Sequence, residues 1–129
     1  MYSAKLLDHF QNPRNAGDVS EADASAEVAN PACGDVIRLS LKVKANRIDE
    51  IRFKAKGCVP AIACGSALTE LVSGKTVQEA REVRRESLVE LLGGLPQASA
   101  HAAQLAVDAL SSALAQIDSA TRRTNSHGN

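Results

Sequence analysis

The stretch Ile37–Lys56, IRLSLKVKANRIDEIRFKAK, decides the fold. Its first part alternates apolar and polar residues from Ile37 to Val43, which is the pattern of a strand with one buried face. The alternation resumes from Ile51 to Lys56, and the polar segment Lys44–Arg47 separates the two runs. We therefore predict an antiparallel hairpin whose turn is that polar segment.

Two cysteines flank the hairpin. Cys33 lies just before the first strand, in the run PACGD, and Cys58 lies just after the second, in KGCVP. The start of the first strand and the end of the second meet at the same end of a hairpin. We therefore expect the two thiols to be neighbours in space, with Asp35 beside them.

Helical periodicity surrounds the hairpin. Ser3 is predicted to cap a first helix that stops at Asn12-Pro13, and residues 27–29 form a short edge strand in an otherwise irregular segment. Further predicted helices are Ala61–Ser73 with Pro60 in its first turn, a short helix opened by a capping box at Thr76–Glu79, Glu86–Leu92, and a long final helix capped by Ser99 with an apolar stripe to Ile117. We assign 1–118 to one domain and expect a disordered polar tail over 119–129.

Composition narrows the class of function. The chain has 129 residues, with 15 Lys plus Arg against 15 Asp plus Glu, and this balance argues against a nucleic-acid partner. No apolar run is long enough to span a bilayer and no signal pattern opens the chain, so we expect a cytoplasmic protein without a membrane partner. Three cysteines in such a compartment indicate thiol or metal chemistry rather than a disulfide framework.

Other residue types that bind metals are expected near the cysteine pair. Cys58 precedes a helix, whose positive end is expected to lower the pKa of the thiol. Asp35 offers a hard oxygen ligand or a proton acceptor, and His101 offers an imidazole. Two thiolates, a carboxylate and an imidazole suit zinc or iron.

Each of the single residues also has a purely structural interpretation. Asp35 can end a strand or cap a turn, and His101 can be a surface or capping histidine. Cys64 shares an apolar helical face with core residues, which is typical of a small buried filler. Its side chain nevertheless leans toward the helix start, so ligand and filler remain equal alternatives for Cys64.

These residues give the chain a resemblance to the iron–sulfur cluster assembly scaffold family, of the IscU type and the N-terminal domain of NifU. The matching motifs span nearly the whole chain, from Tyr2 to Ile117. They are YSAKLLDHFQNPRN at 2–15, PACGD at 31–35, FKAKGC at 53–58 followed by AIA at 61–63, and His101 followed by Leu105-Ala106 and Asp108-Ala109.

The resemblance implies a fold and a function. The fold would be α+β, a small antiparallel sheet with helices packed on it and a long C-terminal helix. The protein would take persulfide sulfur from a cysteine desulfurase and receive iron from a donor. It would build a transient [2Fe–2S] cluster and pass this cluster to apo-proteins. The isolated protein would be able to hold zinc in the same site. Carried over by motif, the site residues are Cys33, Asp35, Cys58 and His101, and the sulfur-accepting residues are Cys58 and Cys33.

The chain departs from the family pattern at two places. The third cysteine that normally follows the histidine is replaced by Ala102, which can neither ligate nor accept sulfur. Because Cys64 stands where many relatives have serine, we hypothesise that it replaces the missing ligand. The usual chaperone-recognition segment, Leu-Pro-Pro-Val-Lys, is here LPQAS at 95–99, so we do not expect dependence on an Hsp70-type chaperone.

Two other functions compete with the scaffold. One is a zinc-modulated persulfide relay, a sulfurtransferase-like partner of the desulfurase that builds no stable cluster, and the loss of the third cysteine favours it. The other is a degenerate binding module that regulates a desulfurase. A labile scaffold needs few, exchangeable ligands, whereas a stable electron carrier usually has four cysteines. We therefore expect a scaffold rather than an enzyme.

Overall fold

The predicted hairpin is the centre of a three-stranded antiparallel sheet in the computed structural model, which describes the backbone of residues 2–128 and the side chains of residues 2–118. Strand β2, Val36–Lys44, pairs with β3, Arg47–Lys56. The two residues between them have positive φ angles of 53° and 63°, as a tight two-residue hairpin turn of type I′ requires. The prediction of the hairpin and its turn is confirmed.

Strand β1, Ala24–Ala29, forms the edge of the sheet beside β2. It begins three residues before the short edge strand that the sequence predicts at 27–29. Ala24 and Ala26 are buried against the core, but alanine gives little contrast with its polar neighbours. The hydrophobic alternation of this strand is therefore too weak to place its start.

The helices follow the predicted caps closely. They are α1 Ala4–Gln11, α2 Val59–Val72, α3 Val77–Arg81, α4 Arg85–Leu91 and α5 Ala100–Gly128. Ser3 caps α1 through Leu6 N–H, and Thr76 and Glu79 form the capping box of α3. Several bounds differ from prediction by one or two residues: α2 is Val59–Val72 rather than Ala61–Ser73, and α4 is Arg85–Leu91 rather than Glu86–Leu92. The predicted cap of α5 is wrong, because Ser99 ends a short 3-10 turn, Gln97–Ser99, that precedes this helix.

The core lies between the sheet and the two longest helices. The inward side chains of β2, Ile37, Leu39 and Leu41, are fully buried, and the predicted apolar stripe of α5 packs over them. Helix α2 lies close to β3 because Gly65 has no side chain. A Cβ at that position would lie 2.5 Å from the ring of Phe53. This close approach packs the middle of α2 against β3.

Helix α5 extends to Gly128, but the side chains of 119–129 lie outside the described residues, so the disordered tail stays a prediction. No helix among the described residues combines the length and the apolar character that a membrane crossing needs.

Candidate metal centre

Cys33 is presented on the loop that connects β1 to β2. Asn30 holds this loop, because its carbonyl accepts the N–H of Gly34 and its side-chain oxygen accepts the N–H of Ala32. Gly34 has a φ of +78°, in the left-handed region that favours glycine. The turn leaves Cys33 exposed to solvent.

Asp35 contacts two other candidate ligands of the site, Cys58 and His101. It is only 2% exposed, and its carboxylate oxygens have well-defined partners. Oδ1 accepts the backbone N–H of Cys58 at 3.0 Å, while Oδ2 lies 3.1 Å from Cys58 Sγ and 3.3 Å from His101 Nε2. One buried carboxylate therefore links the β1–β2 loop, the start of α2 and the start of α5.

The potential ligand atoms form a compact group. Cys33 Sγ lies 3.6 Å from His101 Nε2, and one ligand atom from each of Cys33, Asp35 and His101 lies within 4.8 Å of the others. Cys58 is not part of this three-residue group but contacts it through Asp35. His101 is 37% exposed at its side chain, so the group opens to solvent. Sulfur, nitrogen and oxygen donors at this spacing suit zinc or iron.

Gly57 makes this arrangement possible, although we predict no role for it from the sequence. Its φ is +135°, and a Cβ at this position would lie 2.0 Å from Asp35 Oδ1. The missing side chain is the space that the carboxylate fills to reach the N–H of Cys58. The available signal was a glycine directly before a cysteine at the end of a strand.

The pKa values of Asp35 and Cys58 are shifted in opposite directions from their usual values. Burial raises the pKa of Asp35, but hydrogen bonds from Cys58, Cys33 and His101 outweigh burial and hold that pKa below its usual value. The pKa of the Cys58 thiol is raised, mainly by burial and further by the charge of Asp35, although the N–H of Ala61 lowers it. The predicted lowering of the Cys58 pKa by the helix end is therefore wrong for the metal-free protein, because burial and a neighbouring carboxylate outweigh the helix dipole.

Cys64 lies apart from the group. Its residue is fully buried in the hydrophobic core, and burial raises its pKa to about 12. Ala102, the residue in place of the expected third cysteine, is also fully buried. Among the described residues, the metal-ligand group contains neither position. These observations favour core packing for Cys64, and ligation by Cys64 stays a prediction.

The geometry supports the central expectation from the sequence. Cys33 and Cys58 come from separate segments, yet both lie at the same end of the hairpin. Cys33 contacts His101, Cys58 contacts Asp35, and Asp35 and His101 contact each other. The structural alternative for Asp35, a strand end that caps a turn, is partly true as well, because Oδ1 satisfies the N–H at the start of α2.

Comparison with known proteins gives this site a context. The model of the NifU-like N terminal domain family matches residues 1–124. The chain belongs to this family. It is 49% identical over 114 residues to iron-sulfur cluster assembly scaffold protein IscU 1 of Archaeoglobus fulgidus, covering 88% of this chain and 74% of that protein. It is 42% identical over 111 residues to the IscU scaffold protein of Aquifex aeolicus, covering 84% of this chain and 71% of that protein.

Solved structures agree on the fold of the NifU-like N terminal domain. The N-terminal NifU-like protein of Brucella abortus superposes with a TM-score of 0.75, covering 91% of this chain and 94% of that chain. At 21% identity this likeness concerns the fold alone. The α+β architecture expected from the resemblance, a small antiparallel sheet with packed helices and a long C-terminal helix, is confirmed.

Proposed function

We propose that this protein is a scaffold on which an iron–sulfur cluster is assembled from iron and persulfide sulfur and then passed to apo-proteins. Its relatives carry the name of such scaffolds. The observation that carries the proposal is the group formed by Cys33, Asp35 and His101, with Cys58 held against the same carboxylate. Mixed ligands that are partly open to solvent suit a cluster that must leave again.

The proposed ligands of a [2Fe–2S] cluster are Cys33, Asp35, Cys58 and His101. The thiolates are soft donors with high affinity for iron, whereas the carboxylate and imidazole are the more readily exchanged donors. The same donor set fits zinc, which would compete for the site in the isolated protein. Cys64 is the fifth candidate ligand, and its full burial means that α2 would have to open for its sulfur to reach iron.

Sulfur enters through a thiol in this proposal. The Cys33 thiolate attacks the terminal sulfur of a cysteine desulfurase persulfide, the donor S–S bond breaks, and the donor thiolate leaves. Cys33 is the exposed thiol and has His101 as its neighbour, so it is the first acceptor, and Cys58 is the second. An iron donor, apo-protein acceptors and a cytoplasmic location complete the proposal, and dependence on an Hsp70-type chaperone is not expected.

Anaerobic reconstitution tests this function. The protein is incubated with ferrous iron, cysteine, a cysteine desulfurase and dithiothreitol. Reduction of two persulfide sulfurs to sulfide takes four electrons, of which two come from the two ferrous ions as they become ferric and two come from dithiothreitol. We expect a visible absorption spectrum of a [2Fe–2S] cluster, lost in Cys33→Ala and Cys58→Ala. No cluster chromophore in this reaction, together with persulfide on Cys33 or Cys58 in a parallel reaction without dithiothreitol, would reject the scaffold and support the zinc-modulated relay.

Cys64→Ser serves as the matched cysteine variant in this assay. A cluster with unchanged spectrum in Cys64→Ser would place Cys64 in the core alone. A shifted spectrum, or a lost cluster in a variant that still folds, would identify Cys64 as the thiolate that replaces the missing third cysteine. Far-ultraviolet circular dichroism of the metal-free variant separates a lost ligand from a lost fold.

A further inference from the structure

Strand β1 has a free edge that ends beside the metal centre. β1 is the outer strand of the sheet, and β2 pairs with only one of its sides. The N–H of Asn30 donates to Asp35 on the far side of the turn, which continues the β1–β2 ladder by one residue. Because antiparallel ladders use alternate residues, the backbone groups of Glu27 and Ala29 point away from β2.

The other end of β1 confirms this alternation. The N–H of Ser25 donates to Gln116 Oε1 at 3.2 Å, and Gln116 Nε2 donates to the carbonyl of Ser25 at 2.6 Å. A side chain of α5 thus completes the edge at Ser25. At Glu27 and Ala29, which are both exposed, no hydrogen bond to the outward backbone groups occurs among the described residues. Unsatisfied edge groups of this kind can pair with an added strand.

A cavity of about 240 Å³ lies between this open edge and α5. One wall is the end of β1 and the residues after it, Val28–Pro31, and the other includes His101, Gln104 and Asp108. Gln104 and Asp108 bond to each other at 2.8 Å rather than to β1, so they leave the backbone edge open. The cavity shares His101 with the metal centre, and it therefore leads from the open edge to the ligands.

We propose that the edge of β1 at Glu27–Ala29 binds an extended, cysteine-bearing segment of the apo-protein that receives the cluster. The inference deepens the proposed function and rests on it. The segment adds to the sheet by backbone hydrogen bonds to Glu27 and Ala29, which is β-strand addition at an exposed edge. A side chain of this segment next to the paired residues enters the cavity. A cysteine one or two residues further along the segment then lies beside His101.

The geometry favours a single peptide segment over a second copy of this chain. Gln116 closes the far end of the edge, so only about three residues remain for pairing. That length suits a short extended segment better than the continuous strand pairing that joins two sheets. Glu27 and Asp108 are exposed carboxylates beside the open edge, so the segment is expected to carry no acidic residue next to its cysteine.

Transfer along this path is a ligand exchange. A thiolate of the acceptor binds iron as one scaffold ligand leaves, and the exchange repeats until the cluster is held by the acceptor. The acceptor thiol gives its proton to the departing scaffold ligand, and neither iron nor sulfide changes oxidation state. The docked segment raises the local concentration of the acceptor thiol, so it accelerates the first exchange.

Ala29→Pro tests the proposal. Proline removes the outward N–H of residue 29 and adds a ring at the edge, but it breaks no hydrogen bond of the β1–β2 ladder. Ala29→Val is the matched control, because it adds similar bulk on the exposed sheet face and keeps the N–H. Each variant is loaded with cluster by chemical reconstitution, and transfer to a plant-type apo-ferredoxin is followed by circular dichroism.

We expect Ala29→Pro to slow transfer to apo-ferredoxin at least tenfold relative to Ala29→Val, with unchanged extraction of the cluster by EDTA, which needs no docking. Equal transfer rates in the two variants, or equally slowed EDTA extraction in Ala29→Pro, would overturn the inference. In the unsubstituted protein, apo-ferredoxin should slow amide hydrogen exchange at Glu27 and Ala29. Unprotected amides would also overturn it, whereas failure of every variant to hold a cluster would reject the proposed function instead.

Discussion

At the scale of single residues, the site depends on one glycine and one carboxylate. Asp35 reaches the N–H of Cys58 only because position 57 has no side chain. Asp35 and Gly57 therefore act as a unit, although they lie on different segments. The remaining donors, Cys33 and His101, are then held by contacts with this fixed carboxylate and with each other.

Gly57→Ala is predicted to disable the metal centre. The new methyl group would meet Asp35 Oδ1, and the φ of +135° would be strained for alanine, so we expect a loss of about 2 kcal/mol or more in unfolding free energy. Zinc affinity, measured by competition with a chromophoric chelator, should fall at least tenfold. Gly74→Ala is the control, because its φ is +82° and its Cβ meets nothing within 4 Å. If Gly57→Ala loses no more zinc affinity than Gly74→Ala, the clash with Asp35 does not matter.

The three cysteines are predicted to differ in reactivity in the metal-free protein. Iodoacetamide at pH 8 should modify Cys33 first because it is exposed, and Cys58 more slowly because its raised pKa leaves less thiolate. Cys64, with a pKa of about 12 and no exposure, should react only after unfolding in guanidinium chloride. Mass spectrometry of each cysteine peptide measures the order.

The variant Asp35→Asn tests the cause predicted for the slow alkylation of Cys58. Asp35→Asn removes the negative charge that raises the pKa of Cys58, so Cys58 alkylation should accelerate at pH 8. The rate at Cys64 in the native protein should not change. Faster modification of Cys58 than of Cys33 in the unsubstituted protein would contradict the burial argument.

At the scale of elements, α1 is fastened to α2 by a buried polar contact. His9 Nδ1 lies 2.8 Å from Ser66 Oγ, and the same hydroxyl accepts the backbone N–H of Arg14. A neutral imidazole lets Ser66 donate its hydroxyl proton to Nδ1. The YSAKLLDHFQNPRN segment thus contributes packing and hydrogen bonds on the side of α2, whereas the proposed ligands Asp35 and Cys58 lie at the N-terminal end of α2.

This contact predicts a pH dependence of stability. The pKa of His9 is lowered by burial first and by the charge of Arg14 second. As the pH falls through about 6.5, the unfolded chain binds a proton that the folded chain resists, so the free energy of unfolding should decrease until the lowered pKa of the folded state is reached. Urea denaturation between pH 8 and pH 5 measures the effect.

His9→Gln is the comparison for this dependence. Glutamine keeps a polar side chain near Ser66 but has no proton to take up in this range. The decrease between pH 7 and pH 5 should therefore be smaller in His9→Gln than in the unsubstituted protein. Identical pH profiles for the two proteins would show that another group controls acid stability.

At the scale of the whole molecule, a metal bound at the proposed site would join three parts of the fold. The candidate ligands come from the β1–β2 loop, the junction of β3 with α2, and the start of α5. A ligand that binds the folded state alone must stabilise it. For one site at about 100 times its dissociation constant, the gain is about 2.7 kcal/mol.

Zinc is therefore predicted to raise the melting temperature by about 10 °C at that concentration. Cys33→Ala should lose most of this shift, because it removes a ligand without touching the core. Cys64→Ala should lower the melting temperature of the metal-free protein yet keep the zinc-induced shift. Differential scanning calorimetry measures both quantities, and loss of the shift in Cys64→Ala would contradict a purely structural role for Cys64.

Several structural features of this protein were predictable from local patterns in its sequence. The period-2 alternation fixed the hairpin, the caps at Ser3 and Thr76 fixed two helix starts, and the geometry of a hairpin placed Cys33 near Cys58. These features depend on residues close together in the chain or on one turn. Interactions between residues that are close in the chain therefore determine these features, so they can be predicted from the sequence.

Other properties were decided only by the packed chain. The helix start at Cys58 predicted a lowered pKa, but burial and Asp35, 23 residues earlier, raise it. The fit of Asp35 against Gly57, the burial of Cys64 and the open edge of β1 likewise depend on which segments pack together. Sequence determined the elements and the types of donor, whereas tertiary structure decided their solvation and their partners, because desolvation and close contact arise only when distant segments meet.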